Sequence, residues 1–178
     1  MRRDNPCFLS ISHSVPDMVL DPIPPKSLAV YLAHGNVAAR DQIAQSLRQI
    51  NHPVRLETGK GQELLHHCQS DPPDLVFIGS DLEDISTVEV MNQLSRMETC
   101  SAIALVSQSD YDNASDEIND RVMGILVEPI NQAQLRPAIY VAIRRFQQAK
   151  RLRTDIAELR DRVYAGEAIF GDNDGETV

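Results

Sequence analysis

The residues with the clearest capacity for chemistry are acidic and lie close together in the middle of the chain. Asp81, Glu83 and Asp84 follow one another closely, and Glu128 is a further carboxylate that the fold could bring towards them. Carboxylate oxygens are preferred ligands of hard divalent cations, and a carboxylate such as that of Asp81 can also act as a nucleophile. The alternative is a solvated acidic loop. We favour that alternative, because clusters of acids mark functional sites only statistically.

The histidines offer two further candidate sites. His34 follows a short apolar run and could form a pH-sensitive pair with Glu128. We expect instead a solvent-facing turn residue, as ordinary burial preferences favour. The run His66-His67-Cys68 falls on a predicted helix, where adjacent side chains point in different directions, so we do not expect it to bind a metal. There is no Gly-rich phosphate loop, nucleophile elbow or metal-ligand spacing, so the sequence predicts no catalytic, cofactor or metal site and no enzyme.

Composition is typical of a soluble globular protein. Of the 178 residues, 42% are apolar and 24% are charged. A net charge of -9 argues against DNA binding by the protein as a whole, and an aromatic content of 4% without Trp argues against a base-stacking platform. Cys7, Cys68 and Cys100 are widely spaced, which favours a reducing compartment, and we expect a cytoplasmic protein. No run approaches the roughly 20 apolar residues of a membrane-spanning helix.

Beyond a Pro-rich stretch at residues 1–26, which we interpret as a disordered leader, short apolar runs alternate with segments of helical periodicity. The predicted strands are 28–33, 54–58, 75–78, 102–106 and 124–127. The predicted helices are 36–50, 61–68, 87–96, 114–121 and a long one from 132, with Val88, Met91 and Leu94 facing inward in the third. This alternation predicts an α/β fold in which a five-stranded parallel sheet is covered by helices on both faces.

Two segments resemble a known family. Residues 73–83 (Pro-Asp-Leu-Val-Phe-Ile-Gly-Ser-Asp-Leu-Glu) resemble the third strand and following loop of a bacterial response-regulator receiver domain. Residues 124–129 (Gly-Ile-Leu-Val-Glu-Pro) resemble the Gly-Tyr-apolar-apolar-Lys-Pro turn of the same family. The resemblance covers about residues 27–146. It implies a flavodoxin-like sheet in the order 2-1-3-4-5, with the functional crevice at the carboxyl ends of the strands.

A working receiver accepts a phosphoryl group on an aspartate at that edge, with Mg²⁺ held by acidic residues and with a hydroxyl and a lysine that contact the phosphoryl oxygens. The resemblance places the acceptor at Gly79, the acidic pair at Ala33-His34 or His34-Gly35, the hydroxyl at Val106 and the lysine at Glu128. It therefore implies a receiver without its phosphorylation chemistry, unless Asp81 serves as a displaced acceptor. We call these positions the acceptor pocket: Ala33, His34, Gly35, Gly79, Asp81, Val106 and Glu128.

The helix predicted from Gln132 to about Ala165 is longer than a receiver needs, and residues 147–165 form a predicted coiled-coil extension ahead of an acidic, disordered tail at 166–178. Apolar residues in the extension recur with the alternating three- and four-residue spacing of a heptad repeat. The alternative is a helix that folds back on its own domain, but the narrow apolar stripe favours self-association. The seam predicted to mediate dimerisation comprises Ala149, Leu152, Ile156, Leu159 and Val163.

Charge on this helix leaves a second function open. Between Ile139 and Tyr164 there are seven basic residues and three acidic ones, which is either a solvated face or a surface for RNA or an acidic partner. A degenerate receiver followed by a coiled coil is similar to the amidase-operon antiterminator family, in which a small RNA-binding domain follows the coil. Our main hypothesis is a homodimeric interaction module, without phosphorylation or a membrane, that contacts a regulatory protein. The alternative is an RNA-binding antitermination regulator that uses the basic helix.

Overall fold

The structure, a computed structural model, describes residues 27–112 and 121–170, with side chains up to residue 164. The predicted leader at 1–26, nearly all of the predicted helix at 114–121 and the tail beyond residue 170 lie outside the described residues. Among the described helices, none combines the length and the apolar character needed to cross a bilayer.

Five parallel strands form one sheet, and helices follow them along the chain. The strands are β1 (Val30–Ala33), β2 (Val54–Thr58), β3 (Leu75–Ile78), β4 (Ser101–Val106) and β5 (Gly124–Val127). The helices are α1 (Val37–Gln49), α2 (Gly61–Ser70), α3 (Thr87–Met97), α4 (described over 108–112) and α5 (Gln132–Phe170). The sheet order is β2-β1-β3-β4-β5, so the predicted fold class and strand order are confirmed.

The sheet is buried on both faces, which explains why its central strands are continuous apolar runs rather than alternating ones. All residues of β1, β3 and β4 are buried. On one face, α1 and α5 pack over Leu32 and Phe77, and on the other, α2 and α3 pack over Val76 and Ile78. These two apolar layers hold the strands rigidly, so the residues just after each strand are placed with little freedom.

Two details of the helices differ from the sequence predictions. In α3 the residue facing inward is Val90, with Met91 and Leu94, whereas Val88 is exposed. The prediction for Val88 was wrong because Val90, Met91 and Leu94 share the buried face of α3, and at about 100° per residue Val88 lies roughly 110° from the centre of that face. The C-terminal helix runs to Phe170, beyond the predicted end at Ala165. Gly166 alone does not end it, since a single glycine costs a helix only about 1 kcal/mol.

Candidate functional site: the carboxyl edge of the sheet and the extended helix

The register of the sheet brings the first two pocket residues side by side. In the pairing of β1 with β3, Ala33 lies opposite Ile78, so His34 and Gly79 are the next residues on two neighbouring strands. The amide of Gly79 donates to the carbonyl of Ala33 over 2.7 Å, which extends the ladder past the end of the strands. The acceptor position and one candidate acidic position of a receiver are therefore in direct contact here.

His34 is buried, and its ring is held by two hydrogen bonds. Only 2% of the residue is exposed, so the expectation of a solvent-facing turn histidine was wrong. Its Nδ1 accepts from the backbone amide of Asn36 over 3.0 Å, and its Nε2 lies 3.0 Å from Glu128 Oε1. Because an amide N–H can only donate, Nδ1 carries no proton, and the neutral ring therefore donates from Nε2 to the Glu128 carboxylate.

The imidazole ring of His34 takes the space that a side chain at position 79 would need. A Cβ added to Gly79 would lie 2.2 Å from Cδ2 and 2.5 Å from Cγ of His34. Real Cβ atoms do not approach other atoms so closely, because overlap at that distance costs far more than the ring can recover by small shifts. Gly79 and His34 thus form one packing unit: the ring of His34 fits where it does because position 79 has no side chain.

The loop after β3 leaves no room for a side chain at Gly35, just as the ring of His34 leaves none at Gly79. A Cβ added to Gly35 would lie 1.6 Å from the backbone carbonyl oxygen of Asp81. The amide of Gly35 donates to the carbonyl of Ser80 over 3.0 Å, which holds the loop against the end of β1. Asp81 itself has a positive φ of 58°, and its carboxylate accepts from the Ser80 hydroxyl over 3.1 Å at the exposed surface.

The remaining pocket positions carry neither a lysine nor a free hydroxyl. Val106 is buried at the end of β4. Ser107, one residue later, accepts from the amide of Asp110 over 3.2 Å and donates to its carboxylate over 2.7 Å, so this hydroxyl serves as the cap of α4. Glu128 follows β5, and its carboxylate faces His34.

The acidic loop is divided between structural and exposed roles. Asp84 accepts from the amides of Gly61 (2.7 Å) and Gln62 (3.0 Å), and so caps the N-terminus of α2 from a distant part of the chain. Burial works against its charged form, but the N–H groups of Gln62, Gly61 and Ile85 outweigh it and hold the pKa of Asp84 below its usual value. Sequence reasoning missed this cap, because the donor and the acceptor are more than twenty residues apart.

The residues present do not fit the Mg²⁺ ion that the receiver resemblance implies. A hard cation needs several oxygen ligands that converge, and the positions that should supply them carry the ring of His34 and the glycines at 35 and 79. Across the described part of the chain, no three His, Cys, Asp or Glu side chains converge where a metal ion could be held.

The extended helix has the opposite character. Residues 150–164 are all exposed, including the seam residues Leu152 (61%), Leu159 (57%) and Val163 (60%), whereas Ala149 at the start of the seam is half-buried. Arg153 pairs with Glu98 at the end of α3 over 3.1 Å. Sequence reasoning missed this ion pair, since nothing in the local pattern of either segment indicates it. Past this contact, the described side chains of α5 lie in solvent.

Comparison with protein families gives one match that spans most of the sheet domain. Residues 30–140 match the model of the response regulator receiver domain. The curated protein Transcriptional regulatory protein PdtaR, in two strains of Mycobacterium tuberculosis, is 25% identical over 134 residues, which cover 75% of this chain and 65% of that protein. The chain therefore spans slightly less than two thirds of the length of these curated relatives.

Solved structures give the same fold. The receiver domain of a modulated diguanylate cyclase from Desulfovibrio desulfuricans G20 superposes with a TM-score of 0.62 at 18% identity, over 68% of this chain and 98% of that one. The receiver domain of a putative Luxo repressor protein from Vibrio parahaemolyticus gives a TM-score of 0.61 at 16% identity, over 71% and 97%. At such identities the likeness establishes the fold alone.

Proposed function

Since the chain belongs to the response regulator receiver domain family, we propose that it is a receiver that signals by protein contact rather than by phosphorylation. In this proposal the protein is a non-enzymatic interaction and dimerisation module in signal transduction or gene regulation. The sheet domain is the folded platform, the extended helix joins two copies, and a regulatory protein partner binds the dimer. The curated relatives are called transcriptional regulatory proteins, which agrees with such a role.

The observation that carries the proposal is the contact between His34 and Gly79. The position of the nucleophile has no side chain, and the neighbouring ring fills the volume in which an aspartate would have to sit. Phosphoryl transfer to a carboxylate needs that carboxylate in line with the phosphorus atom, and a 1 Å misplacement already costs a large part of the rate. A pocket filled by an imidazole ring offers no such arrangement.

Charge in the pocket supports the same conclusion. Glu128 stands where a receiver has its lysine, and its carboxylate is held by His34. An anion at that place repels a phosphoryl group by about 4 kcal/mol for each pair of charges 4 Å apart at an effective dielectric constant near 20. The repulsion opposes binding of a small-molecule phosphodonor as well as the transfer step.

Asp81 is exposed and is therefore the displaced phosphate acceptor that needs a direct test. The full chain should be incubated with acetyl phosphate and Mg²⁺ beside an authentic receiver, and phosphate should be measured by intact mass and by peptide mapping. We expect no incorporation into this chain while the authentic receiver is labelled. Phosphate on a mapped carboxylate within residues 27–130, at Asp81 or elsewhere, would overturn the proposal.

The dimer is tested by charges placed in the seam. Leu152→Asp together with Leu159→Asp puts two carboxylates where the two helices would meet, so the protein should sediment as a monomer while its circular dichroism stays that of the folded domain. Thr154→Asp with Ala157→Asp is the matched control, because it adds the same charges to exposed positions outside the seam. A seam variant that remains dimeric would place the interface on the sheet domain instead.

An RNA-binding antitermination regulator, as in the amidase-operon family, is the second candidate function. The exposed basic residues of the helix, among them Arg151, Arg153 and Arg160, are the observation that favours it. It predicts RNA binding that weakens steeply with salt and is lost in the triple alanine variant of these arginines. Absence of RNA binding at low salt would remove this candidate and leave the protein-contact proposal unchanged.

A further inference from the structure

The seam of the extended helix has residue types that differ between its two alternating positions. Its spacing assigns Ala149, Ile156 and Val163 to the a positions of the heptad, and Leu152 and Leu159 to the d positions. β-Branched residues such as Ile156 and Val163 at a, with leucine at d, favour two parallel strands, because each of these side chains packs best into the hole that a parallel dimer offers at its position. We propose that the seam joins two copies of this chain as a parallel, in-register, two-stranded coiled coil.

Exposure of the seam argues that its occupant is another chain. Ile156, Leu159 and Val163 lie in solvent on a stretch of helix, residues 150–164, in which every residue is exposed, so the sheet domain of the same chain does not cover them. Together with Arg160 and Tyr164, these three residues line an apolar groove along the helix. The inference rests on the proposed function, since it presupposes that the helix dimerises, and it adds the direction and register of the two strands.

The charges beside the seam distinguish the two possible directions. In the same heptad numbering, Asp155 is a g position, and Arg153 and Arg160 are e positions. In a parallel, in-register dimer each g residue faces the partner's e residue five positions later, so Asp155 meets the partner's Arg160, and the symmetric pair forms as well. Both contacts are attractive.

The antiparallel alternative brings like charges together. There e positions face e positions, and an overlap of the whole seam sets Arg153 against the partner's Arg160 twice. The g positions would set Asp155 against the partner's Arg162, also twice, so the attractive and repulsive contacts are equal in number. The parallel arrangement gives two attractive contacts without that repulsion, and it places both sheet domains at the same end of the coil.

Reversing the charge of Arg160 separates the two directions, because the expected effects on the dimer have opposite signs. In the parallel dimer, Arg160→Glu sets Asp155 against the partner's new carboxylate, so the dimer dissociation constant should rise on the order of tenfold. In the antiparallel dimer, the same change replaces repulsion from Arg153 by attraction, and the dimer should tighten. Asp155→Arg should also weaken the parallel dimer on the order of tenfold, since it sets two arginines against each other.

Mixing the two variants provides the rescue. A heterodimer of the Arg160→Glu chain with the Asp155→Arg chain keeps one native contact, between Asp155 and Arg160, and restores the other with reversed signs, so it should form with nearly the affinity of the unchanged protein. Lys150→Glu and Asp161→Arg make the same changes of charge on the outer face of the helix, where we expect no such effect. Sedimentation equilibrium measures each affinity, and native mass spectrometry of the mixture counts heterodimers against homodimers.

Cysteine cross-linking gives a second, independent readout. With Cys7→Ser as background, Val163→Cys should form a disulfide with its own copy under mild oxidation, because two Cα atoms at the same a position of a parallel dimer lie within disulfide reach. In the antiparallel dimer Val163 faces the partner's Leu152, so only a mixture with Leu152→Cys would cross-link.

A monomer at every concentration would overturn the dimer itself. A dimer that Arg160→Glu tightens or leaves unchanged, or that does not cross-link through Val163→Cys, would overturn the parallel register alone.

Discussion

At the carboxyl edge of the sheet the buried polar groups are paired within the chain, whereas along the extended helix apolar side chains are left in solvent. His34 is hydrogen-bonded through both ring nitrogens, and glycines 35 and 79 leave no gap beside their neighbours. Among the described residues, the one buried side-chain nitrogen or oxygen without a hydrogen bond is Ser101 Oγ, at the start of β4 and far from that edge. The partner should therefore be sought at the extended helix, because the acceptor pocket is already filled by residues of the protein itself.

The largest expected effect comes from reopening the pocket at Gly35. Gly35→Ala puts a methyl group into the carbonyl of Asp81, and neither backbone can withdraw while the Gly35 amide is bonded to Ser80. We expect the free energy of unfolding to fall by about 3 kcal/mol or more, measured by chemical denaturation. Gly124→Ala is the control, because its added Cβ would lie 3.6 Å from the nearest atom, an ordinary contact. Equal costs for the two variants would contradict the close approach at Gly35.

A slightly smaller effect is expected in the seam. Leu159→Ala removes an apolar side chain from both copies at a d position, so the dimer should weaken by about 2 kcal/mol or more, roughly thirtyfold, with the domain still folded. Tyr140→Ala is the control, since Tyr140 is also a large exposed side chain of α5 (46%) but lies ahead of the seam and outside the groove that the seam residues line. Equilibrium sedimentation measures both variants. If Tyr140→Ala weakens the dimer as much as Leu159→Ala does, the seam is not the interface.

Coupling between His34 and Gly79 tests whether they form one packing unit. Gly79→Ala should cost about 2 kcal/mol of stability because its Cβ overlaps the ring of His34. His34→Ala should cost a similar amount, since it leaves a cavity beside Glu128 and Asn36. In the double variant the new methyl group enters the vacated space, so the two costs should fall short of adding by about 1 to 2 kcal/mol. Strict additivity in the double-mutant cycle would argue against the contact.

The smallest effect is expected for Asp84, the carboxylate that caps α2. Asp84→Ala removes the cap of α2 and should lower stability by about 1 kcal/mol, with Asp84→Asn in between because it keeps one of the two acceptor oxygens and loses the charge. The pKa of Asp84 is lowered in the folded state, so its contribution is present above the usual carboxyl pKa and is lost as pH falls through the lowered value. The stability difference between the wild type and Asp84→Asn should therefore shrink in acid; a difference that stays constant would contradict the role of the charge.

Much of the sheet was predictable because its signal is local. Val76, Phe77 and Ile78 lie within a short continuous apolar run, which a strand buried on both faces requires, and the following polar residues mark the functional edge. The phase of α3 was predicted less well. Val88 and Val90 are both apolar, so the sequence pattern alone did not decide which of the two valines faces inward.

The sequence predicted which phosphorylation residues the acceptor pocket lacks, but it did not predict which contacts fill their places. Gly79 and Glu128 could be placed by resemblance to the receiver pattern, and both lie at the predicted edge. A contact between His34 and Glu128 was one of two alternatives, and the sequence could not decide for it, because the burial of His34 depends on three partners that meet only in the folded chain: the space beside Gly79, the amide of Asn36 and the carboxylate of Glu128. Histidine in a turn is ordinarily solvated, and only tertiary contact overrides that preference.

Native mass spectrometry of the full chain, with and without acetyl phosphate and Mg²⁺, tests the central claim most directly, because one spectrum reports stoichiometry and phosphoryl adducts together. The claim is that the protein associates through its extended helix independently of phosphorylation. It predicts a dimer in both samples, with no phosphoryl adduct and no shift between monomer and dimer. A phosphoryl adduct, or a dimer that appears only with the phosphodonor, would contradict it and return the chain to the ordinary mechanism of a receiver.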